Sequence, residues 1–206
     1  MYSGKTKAIT FSYDDGVTQD IRLVELFNKY NIRATFNINS GLLGVEHSLI
    51  RNDVKVNRTR IKKEDLKYVY DGHEIAAHTL THPRLPDVEE DKEIVRQVEE
   101  DRIALSEIAG YEVKGMAYPG GGQNNDDRVS NIIKNNTNVR YARTIISTHN
   151  FDLQDNLYRF NPSIHIVASW EESMQLAQEF VSLKTDSPKI FYIWGHSFEF
   201  DYEPAS

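Results

Sequence analysis

The stretch KAITFSYDDG, residues 7–16, is an apolar, β-branched run that ends on two adjacent acids and a glycine. It reads as a strand over 7–13 with Asp14 and Asp15 just past its C-terminal end. Neighbouring side chains on an extended segment point to opposite faces, and like charges side by side repel. Two acids at the mouth of a strand therefore need a reason.

Outward from this strand, short β-branched runs alternate with segments of helical period. A helix is expected from about Thr18, read as its N-cap, with Ile21, Val24 and Phe27 on one face. RATFNI (33–38) reads as the second strand, while residues 41–62 show no clear period and read as a long loop or insertion. A short helix over 64–70 precedes the strand HEIAAH (73–78). The clearest helix covers 88–109, with Ile94, Val98, Leu105 and Ile108 in a stripe and Gly110 as its stop. Strands VKGMAY (113–118), VRYARTI (139–145) and KIFYIW (189–194) follow, with helices over 126–136 and 170–183 between them. This alternation predicts a parallel α/β sheet, either open and doubly wound or closed as a barrel, and the period does not choose between them. Both architectures place their chemistry at strand C-termini.

Composition narrows the chemistry. The 206 residues suit one domain, with 39% hydrophobic and 27% charged residues. A formal net charge of −7 argues against a nucleic-acid partner, which would need a basic face. No apolar run approaches the roughly 20 residues of a membrane span, and no signal peptide is visible. A cytoplasmic location is the expectation, or an exported one if a leader has been trimmed. The sequence has no cysteine, so a metal would have to be held by His, Asp and Glu.

The residues just past the strands are Asp14 and Asp15, His78 and His82 in HTLTHP (78–83), the glycine turn PGGG (119–122), and His196 in WGHSFEF (194–200). Two histidines four apart suit two ligands of one divalent ion if the segment is a helical turn. A carboxylate from another strand end would complete a His-His-Asp set with positions open to water. Of the two acids, one can bind the ion while its neighbour takes a proton from an activated water. A glycine turn offers backbone N–H groups to an oxyanion, and His196 could protonate a leaving group. Each motif alone is more often a turn, a loop or a structural histidine; their convergence on one rim carries the reading. Tyr13, Tyr118 and Trp194 could stack on sugar rings, although most aromatic residues belong to cores.

These residues together resemble the polysaccharide deacetylases that share the NodB homology domain, carbohydrate esterase family 4. FSYDDG matches the family's acidic opening, His78-Thr79-Leu80-Thr81-His82-Pro83 its histidine element, Ala117-Tyr118-Pro119-Gly120-Gly121 part of its third, and Ile193-Trp194-Gly195-His196 its last. The likeness runs from residue 7 to residue 196. It implies a distorted (β/α) barrel with fewer than eight regular units, and metal-dependent release of acetate from an N-acetylated, less often O-acetylated, carbohydrate. It also implies that Asp14 is the base, that Asp15, His78 and His82 hold the metal, that the Gly120 N–H serves the oxyanion, and that His196 is the acid. Zinc is the first expectation for the ion, with manganese, cobalt or nickel possible on the same ligands.

Two positions depart from the pattern. Ala117 stands where the family has an arginine that pairs with the base, so another arginine must reach Asp14. Arg143 is the first candidate and Arg159 the second. No Asp-Trp pair that would tune the acid histidine is evident; Trp170 is the candidate ring. Only ten residues follow His196, fewer than in relatives, so a domain over 1–206 shortened at its C-terminus is expected. Two other functions stay open: hydrolysis of a non-sugar amide or ureide, and sugar binding without turnover.

Overall fold

Strand β1 (Lys7–Asp14) lies inside a seven-stranded sheet whose neighbours all run parallel. On one side follow β2 (Ala34–Ile38), β5 (Glu74–Ala77), β6 (Gly115–Ala117) and β7 (Tyr141–Arg143); on the other, β9 (Lys189–Gly195) and β8 (Ile164–His165). This computed structural model describes residues 4–167 and 170–202.

The sheet is curled rather than open. The segment that leads into β8 bonds to β7 and to β9: the Phe160 N–H donates to the Ala142 carbonyl at 2.9 Å, and the Ser163 N–H to the Tyr192 carbonyl at 2.7 Å. Those bonds draw the edge at β7 toward β9. The result is the distorted α/β barrel. The two-residue β8 is too short to carry a readable period.

Among the described residues five α-helices pack around the sheet: α1 (Asp20–Lys29), α2 (Leu66–Val69), α3 (Asp91–Ala109), α4 (Asp127–Asn136) and α5 (Trp170–Ser182). The α3 stripe buries Ile94, Val98 and Leu105, and Gly110 ends the helix at φ 79°. Thr18 does not cap α1. The residue before that helix is Gln19, without a side-chain cap, and Thr18 instead donates its backbone N–H to the Thr59 carbonyl. The supposed loop at 41–62 contains an antiparallel hairpin, β3 (Ser48–Arg51) and β4 (Val54–Asn57). Its strands are too short and too exposed for an alternating pattern to show. Among the described residues no helix is long and apolar enough to cross a membrane.

Asp20, fully buried at the start of α1, ties distant segments together. The Tyr70 hydroxyl donates to one carboxyl oxygen at 2.6 Å and the Ser197 hydroxyl to the other at 2.5 Å. Burial outweighs those bonds and raises its pKa to about 7. A raised carboxyl favours the fold while it is protonated in both states, and that contribution is lost as pH rises through about 7. Asp20→Asn is expected to lose less melting temperature than the parent between about pH 5 and pH 8, measured by thermal denaturation.

Candidate metal and catalytic site

The acid pair at the end of β1 does not follow strand alternation. Asp15 has φ 87° and Gly16 φ 63°, so the chain turns immediately after Asp14, and both carboxylates line one cavity of about 400 Å³. The Asp15 N–H still bonds to the Asn37 carbonyl at 3.0 Å, which extends the sheet's pairing one residue past the strand. Backbone geometry thus brings together two groups that a regular strand would separate.

His78 follows β5 directly, and His82 stands in the loop beyond it. That loop is not helical, contrary to the helical-turn expectation: Thr79 and His82 have φ 67° and 63°. It is held by α3, whose Asp101 carboxylate accepts the His78 N–H at 2.9 Å and whose Gln97 carbonyl accepts the Leu80 N–H at 2.9 Å. The imidazoles meet edge to face with centroids 4.9 Å apart. His78 Nδ1 lies 2.9 Å from the Ala117 carbonyl, which can only accept, so Nδ1 carries the proton and the Nε2 lone pair faces the acids. His78 Nε2 is 4.0 Å and His82 Nε2 3.4 Å from Asp15 Oδ1.

These three residues fit a divalent cation. Their ligand atoms lie within 4.8 Å of one another. Burial lowers His78 to about 4 and lowers His82 as well, so both rings are neutral donors at physiological pH. Burial works against ionising Asp15, but His196, Arg60, His78 and Arg58 outweigh it and hold the carboxyl well below its ordinary range. Its Oδ1 is buried and accepts no aligned hydrogen bond, although Arg60 Nη1 comes within 3.0 Å. An under-satisfied buried oxygen facing two neutral imidazoles is a cation-seeking arrangement.

Asp14 is embedded differently. Arg143, fully buried, donates from Nη2 to both its oxygens, at 2.5 Å for Oδ2, and the Asn37 amide donates to Oδ1 at 2.8 Å. Burial alone would raise the Asp14 pKa; Arg143, then His78 and His196, pull it below the ordinary value. The guanidinium is fixed in turn by the Ser12 hydroxyl and the Trp194 ring, 4.6 Å away. Arg159 is elsewhere, on Asn125 and Asp127.

Across the cavity His196 follows β9. Glu199, three residues on, places Oε1 3.1 Å from His196 Nδ1 and Oε2 3.2 Å from His165 Nε2, and it also accepts the His196 N–H at 2.9 Å. Burial opposes a charged ring, yet the Glu199 carboxylate, with Asp15 and Asp14 behind it, raises His196 to about 9. The rings beside His196 are those of Phe198 at 5.0 Å and Trp194 at 5.8 Å, in place of the expected Trp170. Gly120 completes the lining at φ 84°. A Cβ there would meet only Arg84 carbons at 3.7 Å, so backbone conformation rather than crowding favours glycine. Tyr118 and Trp194 border the cavity, whereas Tyr13 packs in the core against Phe27, Phe36 and Phe200.

The sequence reading did not find Asn37, Arg58, Arg60 or Glu199. Asn37 had a faint signal as a polar residue at the end of an apolar strand, directly opposite Asp14 in the register. Glu199 lies at a helical spacing from His196. Nothing local marks the two arginines.

The chain matches the family described as Polysaccharide deacetylase over residues 2–140, more than half its length. It belongs to the polysaccharide deacetylase family. Asp14, Asp15, His78, His82 and Gly120 fall inside the matched span, while Arg143 and His196 lie beyond it. No curated protein sequence matches the chain. Among solved structures, the Streptococcus pyogenes deacetylase PplD in complex with acetate is similar at 18% identity and a TM-score of 0.58, covering 73% of this chain and 61% of its own. A family 4 acetyl xylan esterase from Clostridium thermocellum in complex with a cobalt ion is similar at 16% identity and a TM-score of 0.53, covering 95% of this chain and 77% of its own. A family 4 pseudoenzyme from Bacillus anthracis is similar at 19% identity and a TM-score of 0.54, covering 94% of this chain and 56% of its own. This polysaccharide deacetylase relative therefore spans less than two thirds of some of the structures it resembles, and at these identities the likeness speaks for the fold.

Proposed function

We propose that this chain removes acetyl groups from nitrogen, less often oxygen, on a carbohydrate, using one divalent ion held by Asp15, His78 and His82. The observation that supports it best is the pairing of two differently placed acids: Asp15 with the imidazoles, and Asp14 beside them on a buried arginine. An ion bound there, zinc first and manganese, cobalt or nickel on the same donors, would polarise the acetyl carbonyl and acidify a water.

The protein's own groups do the rest. Asp14, kept ionised by Arg143, takes the proton of the water that attacks the carbonyl carbon. The Gly120 N–H donates to the oxyanion as the carbon becomes tetrahedral. His196 passes a proton to the departing nitrogen as the C–N bond breaks, so that acetate and a free amine leave. Arg143 orients the base, and Glu199 orients the acid.

Metal analysis with an acetate assay on N-acetylated oligosaccharides tests this reading. About one equivalent of divalent metal per chain is expected, with acetate release lost on chelation and restored by zinc, manganese, cobalt or nickel. Turnover that survives full chelation would refute it. Sugar binding without acetate would mark a non-catalytic relative, and release from ring amides alone would mark the non-sugar hydrolase.

Glu199→Gln removes the negative charge that holds the His196 proton. A raised imidazole pKa keeps the acid charged up to about 9, so the variant should lose its alkaline activity at lower pH than the parent. The pH profile of kcat reads this directly. An unmoved alkaline limb would assign that limb to another group.

A further inference from the structure

The hairpin β3–β4 overhangs the mouth of the cavity. Residues Asn52 and Asp53 both have positive φ, 48° and 61°, which is the two-residue turn that matches strand twist. Strand alternation puts Leu49 and Arg51 on one face, and both line the cavity. Leu49 faces Val56 across the ladder, and Val56 packs with Val17 and Phe198, which anchors the hairpin to the body of the protein. Beyond β4, Arg58 lays its guanidinium 4.5 Å over the Phe198 ring and extends Nη2 to Asp15 Oδ2. Arg58 and Arg51 therefore both line the cavity that holds the two acids and the imidazoles.

The charges in this cavity are already matched without Arg51. Asp14 is answered by Arg143, Asp15 by Arg58 and Arg60, and Glu199 by His165 and His196. Among the described residues the Arg51 side chain makes no ion pair or hydrogen bond, and the Arg58 guanidinium uses one of its N–H groups on a protein acceptor. A divalent ion at the triad would add further positive charge to a site whose carboxylates are already paired. In a protein of net charge −7, this leaves a local cationic wall beside the reacting centre. A planar fork of N–H donors suits a carboxylate better than it suits neutral hydroxyls.

We propose that Arg51 and Arg58 form a carboxylate-binding subsite, so that the preferred substrate carries a carboxylate on the acetylated sugar or its immediate neighbour. This rests on the deacetylase reading and narrows its substrate to acidic N-acetylated glycans. Arg51 is the discriminating residue because among the described residues its side chain has no ion-pair or hydrogen-bond partner; Arg58 is shared with Asp15.

The test compares two N-acetylated oligosaccharides of the same length and backbone, one with a free carboxylate and one with that carboxylate as its methyl ester. The free acid should have a kcat/KM about tenfold or more above the ester, most of it in KM, and the ratio should shrink as salt is raised. Arg51→Met should bring the ratio close to one, and Arg51→Glu should push it below one. Because Arg51 is exposed on a hairpin, both variants should retain the parent's circular dichroism spectrum. A parental ratio near one, or a ratio that Arg51→Met leaves intact, overturns the subsite. If neither sugar releases acetate, the deacetylase reading fails, and the ratio of their dissociation constants by calorimetry then decides the subsite separately. Tighter binding of the free acid that Arg51→Met abolishes supports it; equal binding, or none, overturns it.

Discussion

Arg143→Met is expected to destabilise the metal-free protein by about 3–5 kcal/mol, because it leaves a buried carboxylate without its cation. Asp14 is 2% exposed and Arg143 0% exposed, so solvent screens the stranded charge poorly. The Asn37 amide would remain on Oδ1, which solvates the acid but does not neutralise it. With the guanidinium gone, burial would govern the Asp14 pKa and raise it. The sign for stability follows from the present lowered value: the pair contributes above the unfolded carboxyl's pKa and the contribution fades as pH falls. The parent should therefore lose stability on acidification in a way that the variant does not. Asp14→Asn combined with Arg143→Met should recover part of the loss, since neither charge is then stranded. Chemical denaturation of the parent, Arg143→Met and the double variant measures this. A cost within about 0.5 kcal/mol for Arg143→Met, the range of ordinary surface substitutions, would show that the ion pair is not what holds these strand ends.

Asp14→Asn is expected to lower kcat by about 10²–10⁴-fold with little change in metal content. The amide keeps one oxygen for the Asn37 and Arg143 donors but cannot take a proton from water. Asp15→Asn should fail differently, because it weakens the carboxylate of the proposed metal site, and its metal content should fall with its activity. Acetate release and bound metal, measured on the same preparations, separate the two. Near-parental turnover in Asp14→Asn with metal bound would assign the base to another residue. Metal lost equally from both variants would mean that the two acids share the ion.

The acid pair shows why part of this site could be read in advance and part could not. A β-branched run followed by acids and glycine marks a strand end, and the α/β rule then predicts where chemistry should gather. The His78 and His82 pair stood out as candidate ligands, but the helical turn expected of it is absent. The imidazoles converge because Thr79 and His82 adopt left-handed backbone and α3 clamps the loop. Arg143 could be named only as one of two candidates, since β7 reaches Asp14 across the curl of the sheet. Glu199 was missed because a single i, i+3 spacing from His196 in a short 3-10 turn does not stand out in the sequence.

Local chemistry in the chain determined the strands, the helix stripes and the residue types at each strand end, because backbone sterics and side-chain period act over only a few neighbours. Which arginine neutralises which acid, which carboxylate faces the imidazoles, and what stands over the cavity mouth were decided by tertiary structure alone. Those relations join residues far apart in the chain, such as Asp14 and Arg143 at 129 positions, and the curl of the sheet sets their distances.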